Sequence, residues 1–190
     1  MPLRTLICLL IIATMSGCAR HARQQSPSSP QSPQAPQAGA GCLPSHDGFL
    51  RARLRGASDL DIDWTDAQLQ CEGGPRPNRS GIRVTFAGLT PRDHRRLRFV
   101  FGMAAGRGAG SSRGVPANVT VIFEGQGRLY STRGEDKCTI DELTESPIAS
   151  AAHELRVAGR GFCVAAAAAA DGGEGLLLSR FDFAGLMSDE

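Results

Sequence analysis

Downstream of residue 42 the chain alternates apolar and polar side chains with a period of two. In FLRARLRG, Leu50, Ala52 and Leu54 fall on one face and Arg51, Arg53 and Arg55 on the other. DLDIDW repeats the pattern with Leu60, Ile62 and Trp64 set against Asp59, Asp61 and Asp63. This is the signature of strands with one buried face. GIRVTFAG and RRLRFVFG continue it, and NVTVIFEGQGRLYSTR reads as a hairpin turning at Gly125 and Gly127. KCTIDEL, HELRVAGRGFCV and EGLLLSRFDFAGLM supply further runs separated by Gly, Pro or Ser. Roughly eight or nine short strands without an amphipathic helix predict an all-β domain, an antiparallel β-sandwich or barrel-like sandwich. VAAAAAADGGEG and GRGAGSSRG, low in complexity, are read as a loop insertion and a flexible connection.

The two charged rows predict how the first strands meet. Closing FLRARLRG on DLDIDW over Gly56, Ala57 and Ser58 sets Arg55 opposite Asp59, Arg53 opposite Asp61 and Arg51 opposite Asp63. The same register sets Leu54, Ala52 and Leu50 opposite Leu60, Ile62 and Trp64, so one pairing satisfies both faces. Two other readings compete with it. Arg51, Arg53 and Arg55 form a candidate anion-binding stripe, because guanidinium forks suit phosphate and carboxylate. Asp59, Asp61 and Asp63 resemble the opening of a calcium loop, but Trp64 stands where its glycine belongs and Gln70 where its bidentate Glu belongs.

The N-terminal end has a different character. Arg4 precedes the apolar run LICLLIIATM, about half of the roughly 20 residues a membrane-spanning helix needs, which is the layout of a secretory signal. The segment ARHARQQSPSSPQSPQAPQAGAG has no apolar periodicity and is crowded with Pro, Ser and Gln, so it is expected to be a disordered tether. As a flexible coil it would span roughly 27 Å. Between the two lies Met15-Ser16-Gly17-Cys18, which resembles the lipobox of bacterial lipoproteins. The resemblance implies cleavage before Cys18 and a diacylglyceryl group plus an amide-linked acyl chain (palmitate or similar) on that cysteine, enough for stable membrane anchoring. It also implies, through Ala19 in place of Asp, sorting to the outer membrane with the domain facing the periplasm. The expected organisation is therefore a signal peptide over 1–17, a lipidated Cys18 and tether over 18–41, and a β-domain over 42–190.

Charge and cysteine content fit that address. The chain has 21 basic and 19 acidic residues, and removing Arg4 with the signal leaves 20 against 19. A near-neutral balance gives no expectation of a nucleic-acid partner. Of the six cysteines, Cys8 leaves with the signal and Cys18 is taken by lipid, leaving Cys42, Cys71, Cys138 and Cys163. An even set in an oxidising compartment predicts two disulfides. Three connectivities are open, and Cys42 with Cys71 and Cys138 with Cys163 is favoured because each pair brackets neighbouring strands. No two of these cysteines have the close spacing of a zinc site, and no metal or other cofactor is expected.

Catalytic motifs are sparse. There is no G-x-S-x-G elbow, His153-Glu154 lacks the second histidine of a zinc protease, and GRGAGSSRG lacks the lysine of a phosphate loop. His46, His94 and His153 are scattered, and Trp64, one of two aromatics besides phenylalanine, falls on an inward face. The favoured expectation is a non-enzymatic envelope lipoprotein that binds another envelope protein or a glycan, or serves a structural role. The alternative is an envelope hydrolase acting on glycan, peptidoglycan or lipid.

Overall fold

A computed structural model describes residues 42–77, 80–105, 108–134 and 137–188. The expected signal peptide, Cys18 and the tether lie outside the described residues. The strands follow the alternation: β1 (Phe49–Gly56), β2 (Leu60–Thr65), β3 (Leu69–Pro75), β4 (Ile82–Leu89), β5 (Arg96–Met103) and β6 (Gly110–Phe123) come first. They are followed by β7 (Arg128–Ser131), β8 (Cys138–Pro147), β9 (Glu154–Cys163), β10 (Ala168–Ala169) and β11 (Leu176–Ser188). All pairings are antiparallel, in the order β2-β1-β11-β9-β8-β6-β5-β4-β3, with β7 added to the far half of β6 and β10 to β7. No α-helix is present among the described residues, where the only helical turn is a 3-10 segment at Asp66–Gln68.

The sheet curls until its ends almost meet, so the domain is an all-β barrel, nearly closed, with two disulfides. β1 leaves β11 at Ala184, and beyond that point β3 comes alongside β11. The approach is close because Gly73 has no side chain: a Cβ there would sit 2.4 Å from the Leu186 carbonyl oxygen. At this seam the Leu186 amide donates to Cys71 Sγ at 3.3 Å. Cys71 is joined to Cys42, and Cys138 on β8 to Cys163 on β9, the local connectivity favoured from the sequence.

The barrel interior is filled with aromatic rings. Phe86, Phe99 and Phe101 on β4 and β5 meet Phe181 and Phe183 on β11, all buried. Phe101 is the hub, with ring centroids 5.0 Å from Phe181 and Phe183 and 6.1 Å from Phe86. Inward-facing glycines make room for these rings: a Cβ on Gly159 would lie 2.9 Å from Phe183, and one on Gly185 2.7 Å from Phe86. Trp64 caps the cluster edge-on to Phe99 at 5.8 Å, its indole N–H donating to the Leu89 carbonyl at 2.8 Å.

A buried carboxylate ties the beginning of the domain to this frame. Asp66 Oδ1 accepts from the amides of Cys42, Leu43 and Gly48 at 3.0, 2.9 and 3.1 Å, gathering residues 42–48 around one acceptor. Its second oxygen lies 3.4 Å from His46 Nδ1. Three segments depart from the sequence expectation. Leu69–Pro75 forms β3 where the sequence pattern predicts no strand, Ser111–Arg113 of the GRGAGSSRG connection extends β6, and Ala168–Ala169 of the alanine-rich insertion pairs with β7.

Candidate functional site

The β1–β2 hairpin has the register that its two faces demand: Leu54 with Leu60, Arg53 with Asp61, Ala52 with Ile62, Arg51 with Asp63 and Leu50 with Trp64. The turn is closed by Gly56, at φ 97°, whose amide donates to Asp59 Oδ1 at 3.2 Å. That use of Asp59 changes the expected ion pairs. Arg51 Nε bonds Asp63 at 3.1 Å as the register implies, but Arg55 reaches diagonally to Asp61 at 2.8 Å because Asp59 is engaged in the turn. The hydrogen bond from Arg55 holds the Asp61 carboxyl below the usual carboxylate range, with the charges of Arg55 and Arg53 adding to it.

Seen across the outer face of the sheet, one charge of alternating sign stands on each of six adjacent strands. Asp63, Arg51, Asp182, Arg160, Glu142 and Arg113 are successive register partners from β2 through β1, β11, β9 and β8 to β6. Such a row suits cross-strand attraction, and Arg160 bonds Glu142 at 2.7 Å within it. The neighbouring row breaks the rule. Asp61 is followed by Arg53 on β1 and then by Arg180 on β11, two exposed arginines directly opposite each other. Neither forms an ion pair among the described residues.

Beside this pair the strands are bulged. Ser179 is the extra residue of β11 between the Leu54–Leu178 and Arg53–Arg180 pairs, and its hydroxyl donates to the Arg53 carbonyl at 3.3 Å. Asp141 is the extra residue of β8 between the Ile140–Gly161 and Glu142–Arg160 pairs. Both bulged residues border one shallow depression with Arg160, Arg180 and Phe162. Phe162 is 38% exposed, an aromatic ring left on the outside of a barrel whose other described phenylalanines are buried or half-buried. No family model matches the chain, and no curated protein or solved structure matches it.

Of the candidate stripe, Arg51 and Arg55 are thus ion-paired, and Arg53 stands with Arg180 instead. The sequence carried a signal for this. Inward residues change parity from Leu176 and Leu178 to Phe181 and Phe183, and again from Cys138 and Ile140 to Leu143, and each change marks a bulge. The three histidines are not brought together: His46, His94 and His153 occupy separate turns, each in the left-handed region at φ 56°, 52° and 71°. Trp64 and Tyr130 are both buried, so neither offers a sugar-stacking surface. Among the described residues no cluster of His, Cys, Asp and Glu is placed to hold a metal ion.

One further titratable group faces inward. Glu145, on β8 and 6% exposed, accepts from the Gly108 amide at 3.4 Å. Burial pushes its pKa up, and the Gly108 bond opposes this only in part. The folded chain therefore holds this proton more tightly than the unfolded chain, and the group loses its stabilising effect as pH rises through the folded pKa. Glu145→Gln is accordingly expected to raise the urea midpoint at about pH 7 and to lose that advantage below about pH 4, measured by circular dichroism.

Proposed function

We propose that this chain is an exported, lipid-anchored protein of the bacterial envelope whose β-domain works by binding. The observation that carries the reading is the pairing of all four cysteines downstream of Cys18 into two disulfides. Stable disulfides belong to oxidising compartments, which agrees with an apolar leader ending at Met15-Ser16-Gly17-Cys18. On this reading Cys18 carries the acyl chains, the Pro/Ser/Gln stretch holds the domain clear of the lipid, and the domain faces the periplasm from the outer membrane. Binding is favoured over turnover because phenylalanine rings fill the barrel interior, so a ligand is met on the outer surface, where the charged rows stand.

The test is to express wild-type and Cys18→Ser chains in a Gram-negative host fed a fatty-acid analogue, then to fractionate the envelope. Wild type is expected to take the label and sediment with outer membrane, and Cys18→Ser to remain unlabelled. Unlabelled wild type recovered wholly in the soluble fraction contradicts the anchor.

A further inference from the structure

The row in which Arg53 meets Arg180 sets two like charges side by side, with Asp61 on the other side of Arg53. Like charges directly opposite each other on paired strands repel, whereas in the adjacent row the register sets acid against base. We propose that this pair is a phosphate-binding site: Arg53 and Arg180 grip the phosphoryl group of a phosphomonoester, and Phe162 supports the moiety that bears it. The inference deepens the reading of the domain as a binding module by giving it a ligand class.

Three observations converge on it. Paired Cα atoms in an antiparallel sheet lie about 4.5 to 5.5 Å apart, so two arginine forks on one face can converge on one anion. A carboxylate has two oxygens and is filled by a single guanidinium; a phosphomonoester has three terminal oxygens and a charge near −2, which suits two. Of the acids around the pair, Asp61, Asp63 and Glu142 are engaged by Arg55, Arg51 and Arg160, while Asp182 and Asp141 also border it. Asp182 stands in the next row between Arg51 and Arg160.

The second observation is the depression of about 390 Å³ that both arginines border, room for a phosphate with part of its carrier. The third is the bulge. Ser179 shifts the register of β11 immediately beside Arg180, and Asp141 does the same for β8, so the two irregularities of these long strands flank a second depression that adjoins the first at Arg180. Bulges re-aim side chains, and they concentrate beside functional sites. Phe162 and Arg180 line one depression, which gives Arg180 an apolar shoulder. A soluble sugar phosphate and a phosphomonoester lipid headgroup present the same group, and the test separates them.

Purified full-length chain in detergent, wild type and the double variant Arg53→Gln/Arg180→Gln, is dialysed to equilibrium against radiolabelled glucose 1-phosphate. In parallel each is mixed with phosphatidylcholine vesicles with or without phosphatidic acid, and sedimented. Wild type is expected to bind at least one of the two saturably, and the double variant to lose at least about tenfold in affinity for it, as removal of charged hydrogen bonds implies. Arg98→Gln, which breaks an ion pair with Glu124 away from this depression, is expected to change affinity less than about twofold. The double variant is expected to keep its fold, because both side chains are exposed. Absence of saturable binding to both probes, or binding that the double variant retains, overturns the site. Cys18→Ser chain gives the same binding result if the inference holds, so failure of the anchor and failure of the site are distinguishable.

Discussion

Phe101→Ala is expected to lower the unfolding free energy by about 3 to 5 kcal/mol, the range for deleting a large aromatic from a packed core. Domains of this size are stable by about 5 to 15 kcal/mol, so the substitution removes a large fraction of the margin. The reason for choosing Phe101 is its position. It is fully buried on β5 and touches Phe86, Phe99, Phe181 and Phe183, so its ring joins β4 and β5 to β11 across the barrel. Glycines at 159, 161 and 185 leave no side chains beside these rings that could move in and fill the void. The cavity should therefore persist, setting the cost toward the upper end. Chemical denaturation of wild type and variant at matched pH measures it; a loss below about 1 kcal/mol would mean that the cluster is not the core that closes the barrel.

The second large effect is at the seam. Replacing Cys42 and Cys71 together by alanine opens a bridge between residues 29 apart in sequence, and the chain-entropy account assigns such a loop about 3 to 4 kcal/mol. Cys138 and Cys163 enclose a loop of similar length, 25 residues apart, and the entropic cost of losing them is similar. What separates the two is location. Cys138 and Cys163 are register partners on paired strands, whereas Cys71 lies where β3 meets β11 without a ladder of its own. Loss of the first bridge should free residues 42–48 from β3, leaving the Asp66 carboxylate and the Arg156–Asp47 ion pair to hold them. Hydrogen exchange is expected to show early loss of protection in β3 and at Leu186 in the Cys42→Ala/Cys71→Ala variant, and an unchanged seam in Cys138→Ala/Cys163→Ala. Equal protection at the seam in both variants would contradict the assigned role.

The physics of the pattern explains what could be read in advance. Strict alternation made β1, β2, β4 and β5 visible, and in the β1–β2 hairpin it fixed the register too, because only one pairing buries Leu50, Ala52 and Leu54 while matching arginine to aspartate. β3 was hidden because LQCEGGP ends in two glycines and a proline, residues that carry no strand preference. Its strand character comes from β4 on one side and the close passage along β11 on the other, neither of which is local. The near end of β6 was hidden for the same reason, since Ser111–Arg113 gains its partner only from β8.

The site was half legible. Arg53 stood out within its stripe, but which arginine keeps a carboxylate depended on turn chemistry, where Asp59 turns to the Gly56 amide and releases Arg55 to Asp61. Arg180 did not stand out at all. Its pairing with Arg53 joins positions at opposite ends of the domain and depends on the bulge at Ser179, which a parity change among the neighbouring apolar residues announces only once it is looked for.

The reading of an anchored envelope protein is tested most directly by the mass of its N-terminal peptide, taken from wild-type chain extracted from the outer membrane of the host. The account requires a peptide beginning at Cys18, with residues 1–17 gone and the cysteine carrying a diacylglyceryl group and an amide-linked acyl chain. A chain that retains Met1, or one cleaved elsewhere with Cys18 unmodified, would contradict it.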